Sequence, residues 1–346
     1  MLAALGADPL RAYSAMAAGA FGSPNAVADT LVKATPLLFV GIGICIAFRA
    51  GVLNIGGEGQ LIAGALAGSV AALAFPSWPA LVLLPLALAA GLLAGAIWGA
   101  IPGLLKAHLR VNEILTTIML NQIAVQGMNY LLRGPLMDPH QVEQGSFIPQ
   151  TARFALAADL PRLIPTRLHL GALLAVIAAV VVWALLWRTT LGFRIRAVGL
   201  NQAASRRAGI RPETHVVMAM MLSGALSGLG GATQVLGVNH RMFTDGSATG
   251  FTGGAGFNGI VAALFGQLHP LGTIPASVLF GAMIVGANQM QRVVQVPSAL
   301  ITALNGLVVV FVVGSEILRR RMSRRDVLDP PEAMPAARRS EASAEP

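Results

Sequence analysis

The chain has 346 residues, 55% of them hydrophobic and only 11% charged, with a mean hydropathy of +0.69. Soluble domains carry about 25% charged residues, so this balance excludes an ordinary water-soluble globule and indicates an all-α, polytopic membrane helical bundle. The formal net charge of +9 does not indicate nucleic acid, because the arginines cluster beside apolar runs, as topology determinants do.

Residues 1–30 hold no convincing span: 12–21 is apolar but short, Asp8, Arg11 and Asp29 flank it, and no basic n-region marks a signal peptide. They are read as an external segment, 31–318 as the membrane domain, and the charged, Pro- and Ala-rich 319–346 as a cytoplasmic tail expected to be disordered. Nine membrane segments are predicted: 31–48, 55–75, 80–105, 114–132, 168–187, 215–238, a shorter 257–268, 271–289 and 296–318. With nine crossings, Lys106, Arg110, the arginines of 188–211 and those of 319–325 share one side, which the positive-inside tendency makes cytoplasmic. The C-terminus is then cytoplasmic and the N-terminus external.

In chain order, the first polar interruption is A-F-R-A-G-V-L-N-I-G-G-E-G-Q at 47–60. Asn54, Glu58 and Gln60 stand where hydropathy places membrane, and an ionisable group there faces a cavity or a partner. Gly51, Gly56, Gly57 and Gly59 permit an unwound backbone, tolerated only where protein or water satisfies it. Three readings are open: Glu58 pairs with Arg49 and pins a helix break, the three polar residues line a translocation route, or the turn caps the next helix at the cytoplasmic surface. A loose echo, a Gly-rich break before an apolar run, joins 51–61 to 250–264, and paired interruptions of this kind point to a transport pathway.

Gly91, Gly95, Gly99 and Gly103 form a small-residue stripe at i, i+4, suited to close helix contact with a partner the sequence does not specify. Asn112 and Glu113 are placed to cap the segment that follows. Asn121, about two turns in, is placed to bond a neighbouring helix, and with Asn258 it joins the pathway candidates. The stretch 187–212 carries Arg188, Arg194, Arg196, Arg206, Arg207 and Arg211 against no acid. Within it 200–209 is predicted to form a short helix stopped by Gly209 and Pro212, which serves to dock into another protein or only to set topology. The loop 239–256, with His240, Arg241 and Asp245, faces outward and offers contacts to a binding protein or is simply solvated.

No G-x-x-x-x-G-K-[S/T] phosphate loop occurs, so the chain is not expected to hydrolyse ATP by that mechanism. No H-E-x-x-H or other metal-ligand spacing is present, and the single Cys45 excludes an intrachain disulfide.

The pattern of Gly199, Asn201, Ala203, Ala204, Ala208, Gly209 and Ile210 resembles the coupling loop of ABC importer permeases, in the superfamily handling ribose-like sugars, nucleosides and branched-chain amino acids. N-I-G-G-E-G-Q resembles the signature of its nucleoside and simple-sugar permeases, and the match extends through 111–121 and 256–272 to cover about 31–318. The resemblance implies that Leu200, Asn201, Ala203, Ala204, Arg206, Arg207, Ala208 and Gly209 seat in a cleft of a separate cytoplasmic ABC ATPase. ATP and Mg would belong to that subunit, with no cofactor in this chain. It further implies a second, similar but not identical permease, an external substrate-binding lipoprotein, and a place in the lipid of a bacterial inner membrane. The expected cargo is a nucleoside, with a simple sugar as the alternative; a carrier or channel acting without an ATPase is the competing class. Members of that family begin with one more helix, so the usual first span is expected to be missing here.

Overall fold

The computed structural model describes residues 8–295 and Gly306; the expected segment 296–318 and the tail 319–346 otherwise lie outside the described residues. The described chain is helical, with only two isolated β-bridges, Gln150–Phe243 and Arg162–His169. The helices are α1 (Pro9–Phe21), α2 (Pro24–Arg49), α3 (Gly57–Ala74), α4 (Ala80–Leu109), α5 (Glu113–Leu132), α6 (Pro139–Glu143) and α7 (Leu170–Arg188). They continue with α8 (Thr190–Leu200), α9 (Gln202–Arg207), α10 (Pro212–Gln234), α11 (Ala248–Thr252), α12 (Ala255–Phe265) and α13 (Pro270–Val294). The all-α class follows directly. Five helices are long and apolar enough to cross a membrane, namely α2, α4, α7, α10 with its following turn, and α13, while α12 is a shorter apolar helix.

The first predicted span begins earlier than expected. Ser23 accepts from the Ala26 amide at 3.1 Å and Pro24 opens α2, a start that hydropathy missed because Asp29 and Lys33 interrupt the apolar run. The segment 1–30 therefore contains α1, capped by Asp8, and the first turns of α2. α1 lies against α13, with Gly19 on Gln289 and Gly286 on Met16.

α10 is the central post, packed on α2, α3 and α4. The stripe Gly91, Gly95, Gly99 and Gly103 meets Gly228, Gly224, Met220 and Val217 of α10, so its partner is within the same chain. A Cβ on Gly95 would strike the Gly224 carbonyl, and one on Gly231 the Leu61 carbonyl. Two backbones in such contact gain dispersion where lipid offers no hydrophobic drive between helices.

At the basic end, the Arg49 guanidinium stands 5.3 Å from the Trp187 ring centroid and donates to the Leu268 carbonyl at 3.4 Å. Arg196 lies over the same ring at 5.7 Å. At the opposite end the two long loops zip together: Thr151 donates its amide to Met242, Thr244 to Pro149, and His240 Nδ1 sits 2.6 Å from Asp159 Oδ1.

Candidate functional site: two helix breaks that meet

α2 ends at Arg49, the chain turns at Gly51 (φ +75°), and residues 50–56 run back into the bundle before α3 starts. On the other side α11 ends at Thr252, Gly253 and Gly254 take φ of +61° and +76°, and α12 begins. These left-handed angles are cheap only for glycine. The two breaks touch. Glu58 Oε1 accepts from the Gly256 amide at 3.1 Å and the Phe257 amide at 3.5 Å. A Cβ on Gly256 would collide with the Glu58 backbone, so the glycine permits the approach.

The junction is deep. Asn54 Nδ2 donates to Ser223 Oγ at 2.8 Å, and Ser223 lies roughly 16 Å along α10 from Pro212 at 1.5 Å per residue. Asn54 and Gln60 exchange amide bonds at 3.0 and 3.1 Å, and Asn54 Oδ1 also accepts from Gly56. Asn121 accepts from the Gly59 amide at 2.8 Å and donates to the Ile55 carbonyl at 3.0 Å. Asn54, Glu58, Gln60 and Asn121 are at most 4% exposed. Asn54 and Asn121 bond the unwound backbone at Gly56 and Ile55, Gln60 holds the Asn54 amide, and Glu58 receives the first amides of α12, so these buried polar groups are paired. Asn258 lies on α12 beside Phe257, half-buried and apart from the Asn54–Gln60 pair.

Two of the sequence readings are corrected. Glu58 does not pair with Arg49, because Arg49 stays at the basic end on Trp187 while the loop carries Glu58 inward. Nor does the whole turn lie at the surface: Gly51 and Leu53 are exposed, but Asn54, Glu58 and Gln60 are buried. Each helix N-terminus carries roughly half a positive charge, and the Glu58 carboxylate stands at the start of both α3 and α12.

The predicted helix over 200–209 is two helices. Leu200 closes α8, and Asn201 turns the chain in extended conformation, its Oδ1 accepting from the Ala204 amide at 3.0 Å. α9 stops at Ala208, followed by Gly209 at φ +79°. Asn201, Ala203, Ala204, Arg206, Arg207, Ala208 and Gly209 are exposed, and Leu200 is 88% exposed, while Ser205 faces inward. Arg206 pairs with Glu213. α8 itself is anchored by buried Ile195 and Val198. Gly199 rests on the carbonyl of Arg49 and on Gly51 so closely that a Cβ would clash. The surface helices thus bear directly on the start of the loop that leads to Glu58. Sequence reasoning missed α8, whose one signal is Thr189, its cap to the Gly192 amide at 3.1 Å; nothing marked Ser223 as the partner of Asn54.

At the start of α5, Asn112 caps Ile114 at 2.9 Å, Glu113 pairs with Lys106 at 2.7 Å, and Thr116 and Thr117 bond backward to their own helix. Among the described residues no group of three His, Cys, Asp or Glu is placed to hold a metal ion.

The family described as branched-chain amino acid transport system / permease component matches residues 26–313. The guanosine ABC transporter permease protein NupP of Bacillus subtilis is 38% identical over 314 residues, 90% of this chain and 88% of the relative. The glucose ABC transporter permease protein TsgB13 of Haloferax volcanii is 37% identical over 330 residues, covering 92% and 84%. The nucleoside ABC transporter permease protein NupB of Lactococcus lactis is 30% identical over 338 residues, covering 96% and 91%. No solved structure gives a significant match.

Proposed function

Because the chain belongs to the permease-component family of branched-chain amino acid transport systems, we infer that it is the membrane permease subunit of an ABC importer, with a nucleoside as cargo. A simple sugar is the alternative, favoured by the glucose relative. The chain is a multi-pass membrane protein. Its basic end is assigned to the cytoplasm by the positive-inside tendency, and the C-terminus with it. ATP and Mg are assigned to a separate ATPase subunit, and a substrate-binding protein delivers cargo at the opposite end. A second permease, similar but not identical, completes the pore.

The observation that carries this reading is the exposed α9 with Gly199 of α8 seated on Arg49 and Gly51. Closure of the ATPase around Leu200–Gly209 pushes α8 against the end of α2. The loop 50–56 passes the displacement to the Asn54–Gln60–Ser223 bonds and then to Glu58 and the start of α12. Two packed arrangements of this junction, one open to each side, would give alternating access.

The test is guanosine uptake into proteoliposomes holding the complete importer. Ala204→Asp, on the exposed face of α9, is expected to cut ATP-driven uptake roughly 5–150-fold, the range of a 1–3 kcal/mol coupling, with insertion unchanged. Full uptake by this variant, or equal uptake without the ATPase, overturns the reading in favour of a carrier or channel.

A further inference from the structure

Residues 110–112 join α4 to α5 in a tight turn, with Arg110 at φ +56° closing α4. α5 then lays one stripe along the re-entrant loop. Glu113, Thr117 and Asn121, spaced i, i+4 and i+8 and so neighbours on one face, are at most 9% exposed, while Leu115, Met119, Gln122 and Gln126 are exposed. Asn121 accepts from the Gly59 amide and donates to the Ile55 carbonyl. Thr117 packs on Gly56, where a Cβ would come within 3.3 Å of the Thr117 Cβ. Glu113 meets the loop nearer the basic end, at the Leu53 amide.

Glu113 is engaged on both sides. Its Oε2 lies 2.7 Å from Lys106 Nζ at the end of α4, with the Glu113 side chain 12% exposed and that of Lys106 34% exposed. Burial pushes its carboxyl up, but the Lys106 ammonium, its own amide and the Leu53 amide together hold it below the usual carboxylate range, so the acid is charged near pH 7. The start of α5 does not depend on it alone, because Asn112 already accepts from the Ile114 and Leu115 amides at 2.9 and 3.4 Å. Glu113 therefore ties together the end of α4, the start of α5 and the loop. The loop is gripped on two flanks, by Gly199 of α8 at Gly51 and by Glu113 at Leu53. At its far end α5 is held by Asn129, which accepts from Thr244 Oγ1 at 2.7 Å and donates to the Gly246 carbonyl at 3.2 Å.

We propose that Glu113 is a positioning residue of the transport cycle: by bridging Lys106 to the Leu53 amide, it makes α5 follow the loop 50–56 when α8 is pushed. The proposal rests on the permease reading and deepens it. A push delivered at Gly51 would be absorbed by a loop free on its other flank. Held at Leu53, the loop moves as a unit with α5, and the displacement is passed along that helix as well as to the Glu58 contact.

The test uses the complete importer in proteoliposomes and reads solute moved per ATP hydrolysed, with whichever of guanosine or glucose the wild type takes up. Glu113→Gln still accepts from Leu53 but loses the ion pair, and Lys106→Met loses the same pair from its more exposed side. Each is expected to lower the ratio roughly fivefold or more while ATP hydrolysis continues. The double variant should lower it no further, since the two substitutions remove one contact. Lys106→Arg, which keeps the pair, should keep the wild-type ratio. So should Arg110→Met, which removes an equal charge from the same turn. An unchanged ratio in either single variant, additive losses in the double variant, or an equal fall in Arg110→Met overturns the proposal. If Glu113→Gln does not fold, Lys106→Met against Lys106→Arg and Arg110→Met decides it. Failure of the importer reading is seen separately, as wild-type uptake that needs no ATPase.

Discussion

Glu58 opens α3 and closes a gap across to α12, accepting two backbone amides with one carboxylate oxygen. Replacing it with Gln keeps an acceptor for the amides and removes the cost of holding a carboxylate out of water. Glu58→Gln is expected to leave thermal stability in detergent unchanged or slightly raised and to reduce uptake. Glu58→Ala, which leaves the amides unmet, should cost about 1–3 kcal/mol. Unchanged stability and uptake in both variants would make the residue a bystander. The sequence exposed Asn54, Glu58 and Gln60 as polar groups in an apolar run, yet it hid their partners. Asn54 meets Ser223 169 positions away, and Glu58 meets Gly256 198 positions away. Charge matching alone favoured nearby Arg49, because a pattern of residue types does not record which way a broken helix turns.

Helix packing was half legible. The i, i+4 glycines of α4 announced a close contact, whereas α10 as the partner came only from the fold. Gly95→Ala drives a methyl into the Gly224 carbonyl and the Gly228 backbone. The helices must part, at about 1–3 kcal/mol for overpacking, read as a fall in thermal stability. Gly127→Ala on α5, with open space around it, should leave stability nearly unchanged; equal effects from the two would refute a dependence on the stripe. The segment 200–209 was visible as basic and short. Its division at Asn201 was not, since one asparagine suits both a helix interior of modest propensity and a cap.

For the molecule as a whole, the five membrane-length helices α2, α4, α7, α10 and α13 were legible because span length and apolarity are written locally. The early start of α2 was not, because Asp29 and Lys33 interrupt its apolar run. The loose echo between 51–61 and 250–264 proved to be a physical contact, with each break supplying the glycines that let the other approach. A single line of contacts runs from α9 through Gly199, Arg49 and the loop 50–56 to this junction. Gly199→Ala sits on that line, where its Cβ would meet the Arg49 carbonyl. In the complete importer it is expected to leave ATP hydrolysis running while uptake falls roughly 5–150-fold. The ratio of solute moved to ATP consumed is the measurement, and an unchanged ratio would refute this route.

The same junction imposes a timetable on the ribosome. Glu58 is synthesised 198 residues before Gly256, which at about 5–20 residues per second is roughly 10–40 s. Through that interval a carboxylate has entered the bilayer region without the amides that will receive it, an expensive state in hydrocarbon. The Glu58 junction therefore closes only once α12 is delivered, and until then the carboxyl needs water or another partner.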